Sequence, residues 1–101
     1  MENGNSATTT SGVQTSPKPY PNGVKMTSII EDVMVELHQA MAAASPMLNL
    51  HHGLAVLQEE VFELQMEVYK NGRKHPNRNE LARKEAIQVA AMAIRLLHDI
   101  L

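Results

Sequence analysis

Apolar residues along the chain recur with the period of helices. Leu50, Leu54, Leu57, Val61, Leu64 and Val68 follow one another at alternating steps of four and three, the spacing of a buried helix face. Ile30, Val33, Met34, Leu37 and Met41 form a similar stripe upstream. Downstream, Ile87, Val89, Met92, Ile94, Leu96, Leu97, Ile100 and Leu101 cover nearly a whole circumference, and Ala82, Ala86, Ala90, Ala91 and Ala93 keep that segment thin. The pattern predicts an all-α fold, an antiparallel bundle of three main helices. A helix apolar all round must be buried on several sides, and two companions from one chain can hardly enclose it. The expected remedy is oligomerisation, as a homodimer or homotetramer.

Breakers set the expected boundaries. Residues 1–26 are dominated by Asn, Ser, Thr, Gly and Pro and read as a disordered or loosely ordered tail, with Val13, Tyr20 and Val24 as its candidate anchors. The helical domain then spans 27–101. Ser28-x-x-Glu31 matches a capping box, so the first helix is expected to start near Thr27 or Ser28. Pro46 forces a break. The second helix is expected to begin between Pro46 and Leu50 and to reach about Lys70, ahead of the stop signal Asn71-Gly72. Asn79 is a candidate cap for a third helix running from Glu80 to Leu101.

The polar positions carry the candidate chemistry. At about 100° per residue, Glu60, Glu63 and Glu67 form a stripe beside the apolar face of the second helix, while Glu59 points to the far side. Carboxylates on that margin sit where another helix can approach. A divalent cation would relieve their mutual repulsion. Glu85 is the one acid in the middle of the third helix and needs a partner there, because a buried unpaired charge is costly. A lysine, an arginine or a cation shared with Glu60 and Glu63 would serve. The alternative for the whole stripe is a solvated acidic flank. Glu31, Asp32, Glu36, His38 and Gln39 are expected on or near the wet side of the first helix. Lys70, Arg73, Lys74, Arg78, Arg83 and Lys84 gather around the second turn, as phosphate contacts or as a solvated basic turn.

Composition narrows the classes. The 101 residues allow one domain. A net charge of -2 and 3% aromatic residues give no footing for nucleic acid. No cysteine is present, which removes disulfides and thiolate metal sites. No apolar run reaches the roughly 18 residues of a membrane span, and no secretory signal opens the chain, so the expected location is cytoplasmic.

Glu59-Glu60-Val61-Phe62-Glu63-Leu64, then a basic turn, then Lys84-Glu85-Ala86-Ile87-Gln88-Val89-Ala90-Ala91-Met92 resembles the MazG-like all-α nucleoside triphosphate pyrophosphohydrolases. Their signature is a helix with Glu-x-x-Glu followed by a helix with Glu-x-x-Asp. His52-Gly53-Leu54-Ala55-Val56 is similar to a small bacterial and phage branch of that group, and the likeness spans about residues 50–98. It implies Mg²⁺ held by carboxylates, and a water attacking a (deoxy)nucleoside triphosphate to give nucleoside monophosphate and pyrophosphate. Glu60, Glu63 and Glu85 then act as catalytic metal ligands. Gln88 takes the fourth position, where the family has Asp, and offers only a neutral oxygen. Lys70, Arg78 and Lys84 are the phosphate candidates. Glu67 and Glu59 are possible substitutes for the missing acid, with Glu67 the better placed by helical phase. Asp99 lies about 16 Å further along the helix and is not. The Gln88 departure keeps open an alternative, a weak or inactive helical dimer that binds a nucleotide or a protein partner.

Overall fold

The computed structural model describes residues 23–101 and is all-helical, with no strand among them. Helix α1 spans Gly23–Ala43, α2 Leu50–Val68 and α3 Arg78–Asp99. Helix α3 is the middle element, and α1 and α2 each pack along it. The tail expected over 1–26 lies outside the described residues as far as residue 22.

Helix α1 begins one turn earlier than the capping box indicates. Nothing between Gly23 and Met26 breaks a helix, and the Thr27 hydroxyl donates back to the Gly23 carbonyl at 3.1 Å. Ser28 is therefore interior, and Ser28-x-x-Glu31 caps nothing. Val24 is 87% exposed and anchors nothing within the described residues. Helix α2 starts where expected. Asn49 is its N-cap in extended geometry, and its side-chain oxygen accepts from the His52 N–H at 2.8 Å. His52 Nδ1 in turn accepts from the Leu48 N–H at 2.9 Å. Helix α3 begins at Arg78, and Asn79 does not cap it: its oxygen accepts from the Arg78 guanidinium at 2.9 and 3.2 Å.

The core is small. Val33 and Leu37 from α1 meet Ala91 and Met92 from α3, with Ile29, Met41, Val56, Leu57 and Ile87 packed around them. Gly53 fixes how α2 meets α3. A Cβ there would strike the Leu96 side chain and lie 3.1 Å from Met47 Sδ, so this glycine is what lets Leu96 close on the α2 backbone. Through that contact the inner face of α2 becomes Gly53, Val56, Leu57, Glu60, Leu64 and Glu67. The stripe expected to be buried is thereby turned outward in part: Leu50, Leu54, Val61 and Val68 are each about half exposed. Of the acidic stripe, Glu60 and Glu67 are half-buried while Glu63 stays exposed.

A buried ion pair ties the α1–α2 connection to the end of α3. Arg95 donates to the Ser45 carbonyl and pairs with Asp99 at 3.5 Å. Asp99 accepts the Met47 N–H at 2.9 Å and faces His98 Nδ1 at 2.7 Å. These contacts hold Asp99 below the ordinary carboxylate range, chiefly through His98 and the Met47 N–H, with the Arg95 charge adding to them.

Candidate functional site

The seam between α2 and α3 brings Glu60 and Glu63 of α2 together with Glu85 of α3. One carboxylate oxygen from each lies within 4.8 Å of the others. Glu60 and Glu85 are half-buried and Glu63 is exposed. Helical phase explains the first pair, since residues three apart share a face. Glu85 joins them because Gly53 and Leu96 draw α3 against that same face.

The crowding has electrostatic consequences. Burial pushes the Glu60 carboxyl above its ordinary range, and the charges of Glu63, Glu85, Glu59 and Glu36 push it further. Burial also raises Glu85, reinforced by Glu63 and Glu67 and opposed by Lys84. Neither acid has a lysine or arginine of its own among the described residues.

Gln88 completes the group, its amide set against Glu60 and Glu85. An amide oxygen aimed at two carboxylates would meet only acceptors. With its nitrogen turned inward, Gln88 donates to Glu60 Oε1 at 2.9 Å and to Glu85 Oε1 at 3.1 Å. The amide thus spreads two N–H groups across two repelling acids.

The remaining candidates are spread around this centre. Glu67 pairs with Lys70 at 3.0 Å, so neither is free to act alone. Arg78 folds over the turn, donating to the Lys70 carbonyl at 3.4 Å and to Asn79. Lys84 is exposed beside Glu85, and of the three phosphate candidates it is the one whose charge acts on the cluster.

Helix α1 contributes two acids from on or near its wet side. Asp32 pairs with Arg83 of α3 at 2.7 Å. Glu36 is half-buried, and its charge acts on Glu60. The available signal was position: Glu36 is three residues after Val33 and next to Leu37, on the margin of an apolar stripe, as Glu60 is on α2.

The donor set suits a hard cation: three carboxylates, no sulfur and no imidazole. Comparison with family models, with curated proteins and with solved structures gave no match.

Proposed function

We propose that the chain is a Mg²⁺-dependent hydrolase of (deoxy)nucleoside triphosphates, releasing nucleoside monophosphate and pyrophosphate. The observation that carries this reading is the convergence of Glu60, Glu63 and Glu85 from two helices, without a cationic side chain to neutralise Glu60 or Glu85. Like charges this close repel, and a divalent cation would relieve the repulsion. The resemblance of residues 50–98 to the MazG-like group gives the convergence a reaction.

In this reading Glu60, Glu63 and Glu85 hold the cation. Bound there, Mg²⁺ would neutralise phosphate charge and make a bound water more acidic. Gln88 orients Glu60 and Glu85 through its amide N–H groups. Lys84 meets phosphate at the edge of the cluster. Lys70 and Arg78 contribute charge from the turn while held by Glu67 and Asn79. The half-exposed apolar residues of α2, with Leu97 and Leu101 of α3, are the surface through which a homodimer or homotetramer closes the helical bundle.

The test is incubation of the protein with a nucleotide panel and Mg²⁺. Equimolar monophosphate and pyrophosphate are expected, and absence of pyrophosphate at high protein concentration would refute catalysis. The Gln88 bridge favours a second reading, a nucleotide binder without turnover, because the amide already offsets two of the three acids. Thermal stabilisation by nucleotide and Mg²⁺ with no product formed would support it.

A further inference from the structure

The connection between α1 and α2 runs over the last turns of α3 and is pinned there by Arg95 and Asp99. Both side chains are buried, 8% and 4% exposed. Arg95 donates to the Ser45 carbonyl, and Asp99 accepts the Met47 N–H at 2.9 Å. Burying two charges is costly, and apolar residues of similar volume often serve stability as well. Neither residue has a part in the proposed hydrolysis. Both of the groups they hold belong to the backbone that leads into α2.

Three contacts follow the α2–α3 seam in order. Asp99 holds Met47 at one end. Met47 is buried and lies beside Gly53, where Leu96 closes on α2. Glu60 stands seven residues further along α2 and Gln88 eight residues back along α3, about two turns in each helix. There the Gln88 amide meets Glu60. Apolar burial between these points is non-directional, whereas a hydrogen bond fixes both distance and direction. The acids at the far end repel one another and draw nothing together. Resting on the reading of Glu60, Glu63 and Glu85 as cation ligands, we propose that Asp99, supported by Arg95, is a positioning residue. Through Met47 it sets how far α2 lies along α3, and so where Glu60 and Glu63 stand against Glu85. It acts from eleven residues beyond Gln88, about 16 Å along α3.

The experiment reads the cluster in variants of the full chain, at a temperature where each is folded. Asp99→Leu removes the acceptor for the Met47 N–H, and Asp99→Asn keeps an oxygen for it. Ile29→Ala is the control: it lowers stability at the α1–α3 contact, beside Val33 and Ala90 and away from the clasp. Two signals are measured, the Mn²⁺ affinity and the NMR resonances of the Gln88 side-chain amide, which need no cation. Asp99→Leu is expected to weaken Mn²⁺ binding about tenfold or more and to shift the Gln88 amide. Asp99→Asn is expected to restore both toward the native values, and Ile29→Ala to leave both unchanged. Arg95→Met releases the Ser45 carbonyl; it is expected to act as Asp99→Leu does and replaces it should that variant not fold. A native Gln88 amide signal in the folded variant, or equal changes in Ile29→Ala, would overturn the inference. Should the native protein bind no Mn²⁺, the cation reading falls alone, and the Gln88 amide still decides the positioning.

Discussion

The Gln88 amide and Glu60 meet across the α2–α3 seam at 2.9 Å, nitrogen to carboxylate oxygen in the orientation that the two carboxylates select. The same nitrogen reaches Glu85 at 3.1 Å. In that orientation, and without a cation, Gln88 is a hydrogen-bond donor to two of the proposed ligands. It lowers the repulsion that a cation would otherwise have to relieve.

Replacing that amide separates the two effects. Gln88→Leu removes two charge-assisted hydrogen bonds from a half-buried pair and is expected to cost about 1–2 kcal/mol, after allowance for solvent screening. Gln88→Asp places a further charge in the cluster. It is expected to lower Tm without divalent cation and to raise the gain in Tm on adding Mg²⁺. Thermal unfolding with EDTA and with Mg²⁺ checks both. Equal behaviour of native and Gln88→Asp protein in the two buffers would contradict the bridging role.

Glu60→Gln and Glu63→Gln are expected to abolish turnover while preserving the helices. Loss of several kcal/mol of charge stabilisation corresponds to about a thousandfold or more in rate. Removing a like charge is expected to leave Tm equal or slightly raised. Circular dichroism and a pyrophosphate assay on the same preparations measure the two outcomes.

The raised carboxyls set a pH dependence. A carboxyl that binds its proton more tightly when folded stabilises the fold at low pH, and that contribution is lost as pH rises. For Glu60 and Glu85 the loss starts near the ordinary glutamate value of 4.5 and is complete above their raised folded values. Asp99 has the opposite sign. Its depressed pKa contributes stability present above about pH 3.9 and lost as pH falls through the folded value. Without divalent cation, stability is therefore expected to peak in mildly acidic solution. Mg²⁺ is expected to flatten the neutral side, and Asp99→Asn the acid side. Tm against pH for native and Asp99→Asn protein, with and without Mg²⁺, measures this.

Gly53→Val is expected to destabilise by about 1–3 kcal/mol through overpacking against Leu96 and Met47. The pair Gly53→Val with Leu96→Ala is expected to recover part of that loss. Additive losses in chemical denaturation would argue against the contact as the cause.

Helix period and the Pro46 break were legible in the sequence, because spacing and backbone restriction act within a few residues; the caps were not, since Ser28 and Asn79 cap nothing and Asn49 caps α2. The meeting of Glu60 with Glu63 was legible for the same reason. The rotation of α2 was not: it depends on Leu96 entering over Gly53, a contact between residues 43 apart in the chain. The same non-locality hid the pairing of Asp32 with Arg83 and the reach of the Glu36 charge to Glu60. Arg95 passed unnoticed because its partners, the Ser45 carbonyl and Asp99, come together through tertiary folding of the loop onto α3.

The central claim is that Glu60, Glu63 and Glu85 act together on one divalent cation. Titration with Mn²⁺, followed by electron paramagnetic resonance, tests this without reference to any substrate. One saturable Mn²⁺ per chain is expected in the native protein, displaced by Mg²⁺ and lost in Glu63→Gln. Non-saturable binding, or binding that Glu63→Gln leaves unchanged, would contradict it.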